Sequence, residues 1–398
     1  MKAQTFALGS AQTLAWAASA YLPAVIGMPM ASDLGTSGVV VYAAYSVSLL
    51  VTAALGPAVG RAIDRRGGRG VLCVSNIVLA AGLVALSRSS GIAALFAAWI
   101  LMGAGMALGL YDSAFAALVR QHGARARRSI TGITLIAGFA STIGWPLTSA
   151  MAAAWDWRAA CVAWAAAQLL VALPLNWFAL RPADAEAEHE APHAAPHYPP
   201  GSAGARRAFW LVAVFGAATS FVTSAMAAHL PGLLQALGLG IAAAVGAGAL
   251  VGPAQVVARA LEFVAGNRLR VHPLVTARSA TILHPVGALA LLSVGAGPWG
   301  GAAFAVLHGA GNGLLTIAKG TLPLAIFGPA GYGARLGFLA VSQRGMQAAA
   351  PLVISIVLER WGGGAALLIT GGLSLVALGA LAGIALPDRH GAGRIELS

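Results

Sequence analysis

The sequence predicts an all-α membrane protein of twelve transmembrane helices in two pseudo-symmetric six-helix halves. Three observations carry that expectation. Of the 398 residues, 59% are hydrophobic and only 9% charged, against roughly 25% charged in a soluble domain. The apolar residues recur in blocks of about 20, the length that spans a hydrocarbon core. Most of the cations crowd the short connections at one side of those blocks. Backbone groups surrounded by lipid must bond within their own segment, so each block reads as a helix.

Taken in order, the first six blocks lie near residues 6–30, 38–60, 70–88, 92–118, 130–154 and 158–180. The second six lie near 208–232, 240–264, 276–296, 299–325, 336–358 and 364–386. The halves are then residues 1–180 and 208–398, joined by a linker at 181–207. Ala18-Ser19-Ala20 in the first block is similar to a signal-peptidase site, but the block runs on through Tyr21 and Pro23 to spanning length, so it reads as an uncleaved first span. The linker is acidic, then rich in Pro, Ala and Gly. His189, His193 and His197 have helical metal-ligand spacing, yet Pro192, Pro196, Pro199 and Pro200 argue against a continuous helix, so no metal site is expected. Cys73 and Cys161 both fall inside apolar blocks and imply no disulfide.

Loop cations set the orientation. With both termini in the cytoplasm, eighteen Lys and Arg lie inside and three, Arg88, Arg158 and Arg360, lie outside. Loop topology therefore accounts for the net charge of +12 better than a nucleic-acid partner does. The most charged short turn, Gly56–Arg69, joins the second and third blocks. Its Gly56-Pro57-Ala58 recurs as Gly252-Pro253-Ala254, and Arg61…Asp64 is echoed by Arg259…Glu262. Gly103-Ala104-Gly105 in the fourth block recurs as Gly309-Ala310-Gly311 in the tenth. Such repetition fits parallel repeats with a binding site between them.

That turn resembles the signature of the major facilitator superfamily, which runs glycine, three residues, aspartate, basic residue, any residue, glycine and basic residues. Gly60, Asp64, Arg65, Gly67 and Arg69 match it, between the second and third helices where that family carries it. Trp155-Asp156-Trp157-Arg158 before the sixth block resembles another common family feature. The resemblance covers essentially the whole chain and implies secondary transport by alternating access. Two positions depart from it. Trp99 stands where members often carry an arginine, four residues before Gly103, and Gly138, Gly144, Trp145 and Pro146 only partly match the motif of drug/proton antiporters.

Charged side chains inside spans cost at least about 2.5–3.5 kcal/mol each and so need partners or a cavity. They are Asp112, Arg259, Glu262, Lys319 and Arg344, and a rise of about 1.5 Å per residue places all five in the cytoplasmic third. By their echo, Arg259 and Glu262 are expected to join Gly60, Asp64, Arg65, Gly67 and Arg69 in a conformational lock. Arg259 and Arg344 also resemble cations that some organic-anion members place in helices eight and eleven. Asp112 and Lys319 are expected to pair across the halves as a gate, with Asp112 as proton acceptor the alternative. Nearer mid-membrane, Tyr21, His308 and Asn312 are candidates to line the cavity, whereas lone serines and threonines more often bond their own backbone.

These readings converge on a secondary active transporter of a small solute in a bacterial inner membrane. A small organic anion is favoured, with a proton as one choice of coupling ion. Efflux of a drug or toxic compound is the runner-up, and a receptor on a transporter scaffold is the reading from a different class. Tyr111-Asp112 is similar to half of an intramembrane aspartyl protease site, but Asp112 is the one aspartate in any span. No enzyme activity, cofactor, metal or nucleic-acid partner is expected. The expected partners are the solute, the lipid bilayer and protons, with the chain a monomer.

Overall fold

The computed structural model describes residues 2–122, 126–180, 202–269, 271–295, 297–327 and 332–384. All the regular structure among them is helical. The first half comprises α1 (Lys2–Ala17), α2 (Pro23–Asp33), α3 (Gly38–Arg66), α4 (Gly68–Ser87), α5 (Ile92–Gly109), α6 (Tyr111–His122), α7 (Ala126–Ala137), α8 (Ala140–Ala154), α9 (Trp157–Ala167) and α10 (Leu173–Ala179). The second comprises α11 (Ala203–Ala236), α12 (Ile241–Ala249), α13 (Val251–Leu269), α14 (Pro273–Val294), α15 (Pro298–Phe327) and α16 (Tyr332–Ala382).

Ten stretches among the described residues are long and apolar enough to cross a membrane. Two details separate that number from the expected twelve. α16 has 51 residues, about 75 Å at 1.5 Å per residue, far more than one span of roughly 30 Å. It folds back at Gly362, whose φ of 76° and ψ of −176° only glycine adopts freely. The first block, expected as one helix over 6–30, is instead broken between α1 and α2. Pro23 has no N–H to continue the ladder, and three carbonyls around the break receive side-chain donors. Tyr45 donates to Ala20 at 3.3 Å, Trp145 Nε1 to Tyr21 at 3.0 Å and the Tyr42 hydroxyl to Pro23 at 3.1 Å.

The linker residues 181–201, with His189, His193 and His197, lie outside the described residues. Ser202 accepts from the Ala205 N–H and caps α11, so the helix begins inside the predicted linker. Between α9 and α10 a π-helical turn, Gln168–Ala172, turns the Gln168 amide inward. Asn76 donates to Gln168 and Asn176 donates to Asn76, both at 2.8 Å, while the next residue, Trp177, stays half exposed under the Arg69 guanidinium.

Small residues bring the helices together. A Cβ on Gly103 would lie 2.4 Å from the Ser48 carbonyl oxygen on α3, and one on Gly309 would lie 2.6 Å from that of Val251 on α13. The glycines that echo one another in the sequence thus admit equivalent neighbours. Toward the α2–α3 turn the two halves meet directly. The Val39 N–H donates to Glu359 and the Leu352 N–H to Ser46, both at 3.2 Å. His229 lies against Tyr42 with ring centroids 3.9 Å apart and the planes tilted by 43°, and it donates to the Pro351 carbonyl at 2.8 Å.

Candidate functional site

Deeper between the halves, toward the end that carries Gly67, lies a cavity of about 250 Å³ lined by Asp112, Ser220, Thr223, Lys319, Gln343, Arg344 and Gln347 among others. Its walls come from α6, α11, α15 and α16. α6 begins a new helix after the break at Leu110, which sets Asp112 in its first turn, where a carboxylate faces the positive end of the helix dipole. Its side chain is 83% exposed.

Asp112 accepts from Arg344 Nη2 at 2.8 Å, and Arg344 also donates to the Ala53 carbonyl at 3.4 Å. The guanidinium fits against α3 because residue 56 is glycine, where a Cβ would lie 2.6 Å from Arg344 Nη1. Asp112 therefore does join the halves, but through Arg344, and the expected pair with Lys319 is not formed. Lys319 instead donates to the Ser220 hydroxyl at 2.9 Å and has no carboxylate partner among the described residues.

Arg259 also departs from expectation. It is buried and is not paired with Glu262, which accepts from Thr276 at 3.4 Å. It donates to Gln255 and Thr316 at 3.1 Å, to the Gly313 carbonyl at 3.3 Å and to the Thr134 carbonyl on α7. The phenols of Tyr21 and Tyr111 approach the same guanidinium. Arg259 therefore bridges the halves beside the cavity, apart from the turn around Gly67. In that turn Arg65 and Arg66 are exposed, Arg69 lies 3.8 Å above the Trp177 ring, and Arg120 donates to the Ile63 carbonyl at 2.8 Å. The Asp64 side chain lies outside the described residues. Gly67 has φ 80° and ψ 162°, and a Cβ on Gly68 would lie 2.0 Å from that of Ala117.

Asn312 and His308 line a second, much smaller pocket inside the second half, together with Thr223 and His284. Thr223 donates to Asn312 at 3.1 Å, and the Nδ1 atoms of His284 and His308 are 2.9 Å apart. Sequence reasoning missed His284, Gln255 and Thr316. A signal for His284 was present: it lies ten residues before the end of α14, and His308 lies ten residues after the start of α15, so consecutive antiparallel helices bring them to one level. Tyr21 lies outside both pockets, against Trp16 and Trp145 at ring distances of 6.3 and 5.4 Å.

The architecture matches solved transporters. A bacterial homologue of the human lysosomal transporter Spinster, inward-facing and occupied, is 16% identical, with 95% of this chain and 93% of that chain covered at a TM-score of 0.64. The nucleoside transporter NupG is 12% identical over 96% of this chain and 98% of its own, with TM-score 0.70. A POT family transporter solved with 5-aminolevulinic acid is 11% identical over 94% of each chain, with TM-score 0.68. At these identities the likeness concerns the fold alone. No curated protein matches the sequence. The family model of the Major Facilitator Superfamily matches residues 8–305, and with the signature turn and the helical architecture this places the chain, an integral membrane protein of transporter fold, in the Major Facilitator Superfamily.

Proposed function

We propose that the protein is a secondary active transporter that carries a small organic anion through the cavity between its halves. The observation that supports it is the charge around that space. Lys319 and Arg344 line it and Arg259 stands beside it, against Asp112 as the one carboxylate in the lining. Lys319 and Arg259 have no acid partner among the described residues, and a cation held out of water without one attracts an anionic ligand. The salt bridge from Asp112 to Arg344 occupies the remaining guanidinium. A substrate carboxylate competes with Asp112 there.

Both termini face the cytoplasm in this reading, and the cavity opens to that side. Gly60, Asp64, Arg65, Gly67 and Arg69 form the turn that latches the opposite conformation, without Arg259 and Glu262. The half-buried ring group of Trp16, Tyr21 and Tyr111 is what supports the second reading, efflux of an aromatic, drug-like compound.

A thermal-shift screen of the purified protein against organic acids and cationic drugs separates the two. An acid at a hundred times its Kd stabilises the native state by about 2.7 kcal/mol. That shift should disappear in Lys319→Ala and survive in part in Lys319→Arg. Stabilisation by cationic compounds alone, unaffected by either change, would overturn the anion reading.

A further inference from the structure

We propose that His284 and His308 form a site for one proton inside the second half, coupled electrostatically to the cavity. The coupling, though not the site, rests on the anion reading above. The rings meet at a T-shaped angle of 73° with their Nδ1 atoms 2.9 Å apart. At that distance one Nδ1 must carry hydrogen and the other must accept it, so both rings are ordered into complementary tautomers. His284 Nε2 is buried and has no hydrogen-bond partner among the described residues, which leaves one polar atom of the pair unsatisfied there. A proton added to the pair turns the contact into an imidazolium–imidazole hydrogen bond, a charge-assisted and stronger one. A second proton would set two cations in contact. The pair therefore holds none or one.

The surroundings leave no room for a larger ligand. The enclosing space is about 10 Å³, room for about one water molecule. α11 contributes Thr219 and Thr223 to it, α15 contributes Asn312, and α16 contributes Ser374. Among the described residues no Asp, Glu, Lys or Arg lines it. The ionisable groups of the packing helices whose side chains are described, Arg206, Arg207 and His229 on α11, Arg259 and Glu262 on α13, Arg278 on α14, Lys319 on α15, and Arg344, Glu359 and Arg360 on α16, lie outside that lining. Thr223 lines both this pocket and the large cavity and donates to Asn312. That gives a polar route between the two.

Lys319 lies eleven residues beyond His308 on α15, about 16 Å at 1.5 Å per residue. At an effective dielectric of about 20, a unit charge at that range changes the proton affinity of the pair roughly fivefold. An anion that neutralises the cavity cations therefore draws a proton onto the histidines, and the two cross together with no net charge when the anion is monovalent.

The test is a titration of the full-length protein, ¹⁵N-labelled at histidine, in lipid nanodiscs between pH 9 and pH 5. The His284→Gln and His308→Gln variants assign the signals. In the unmodified protein both rings should change together with a single midpoint, as one proton enters the shared contact. Removing either ring should displace the midpoint of the other at least tenfold in proton concentration. Lys319→Gln, which removes one cavity cation without any ligand, should raise the midpoint by about 0.7 pH unit, the same fivefold factor. Rings that titrate independently, or not at all in that range, would overturn the site. A midpoint unmoved in Lys319→Gln would overturn the coupling. A titrating pair in a protein that no organic acid stabilises would leave the proton site standing and sink the anion reading.

Discussion

Gly103 and Gly309 show how far a single missing methyl group governs this bundle. Each faces a backbone carbonyl within 2.6 Å of where its Cβ would stand, so alanine forces the neighbouring helix outward. Overpacking of that kind costs about 1–3 kcal/mol. Gly103→Ala and Gly309→Ala should each lower stability in detergent by an amount of that order, read as a fall in unfolding temperature. Gly60 provides the contrast: it lies inside α3 with open space where its Cβ would be. Gly60→Ala should leave thermal stability equal or slightly higher, because alanine is favoured over glycine in a helix by up to about 1 kcal/mol. If transport still falls in that variant, Gly60 serves motion rather than folding. The signature match in the sequence grouped Gly60 with Gly67 and did not distinguish them. Only backbone geometry separates a helical glycine from one at φ 80°.

At the scale of elements, the informative feature is the broken first segment. The hydropathy of residues 6–30 marks no break, and of its two prolines Pro29 is carried inside α2 while Pro23 begins it; the side-chain donors at the break come from α3 and α8, far along the chain. Trp145→Phe keeps the ring against Tyr21 but removes the N–H that serves the Tyr21 carbonyl. It should lower stability by about 1–3 kcal/mol, the cost of a buried acceptor left unmade, measurable by the same thermal assay. The positions of the charges were legible from the sequence as well, to within a helical turn. Their partners were not. α5, α11 and α15 are rich in alanine and glycine all round, so no apolar stripe says which side each turns to the cavity. Depth alone therefore allowed Asp112 to meet Lys319, when rotation of the helices gives it to Arg344.

For the whole molecule, the twelve-block pattern located the helices closely and its internal echoes pointed to matching places in the two halves. Gly56 admits Arg344 and Gly252 admits Thr142, each from the opposite half. What the sequence could not state is where the halves touch. In the structure direct bonds such as Leu352 to Ser46 join them toward the α2–α3 turn, and the cavity lies toward the other end. Site-directed thiols report this directly. Asp112→Cys should react readily with a membrane-impermeant maleimide from the cavity side, while Ser46→Cys and Ser355→Cys, at 6% and 3% exposed positions, should be at least tenfold slower. The native Cys73 and Cys161 are both buried and contribute little background. Equal labelling at all three positions would contradict the arrangement. Comparing right-side-out with inverted vesicles then fixes which compartment the cavity meets.

The π-helical turn at Gln168–Ala172 bears on how this chain is aligned with its relatives. A π turn takes in one extra residue, and each residue of an α-helix advances the helix by about 100°. An ungapped alignment to a relative whose sixth helix is uninterrupted would place Trp177, half exposed beneath Arg69, at the position of buried Asn176. The amide chain from Gln168 through Asn76 to Asn176 would then be mistaken for a lipid-facing variation. At identities of 11–16%, a one-residue gap at Gln168 decides whether α10 is compared face to face or turned by about 100°.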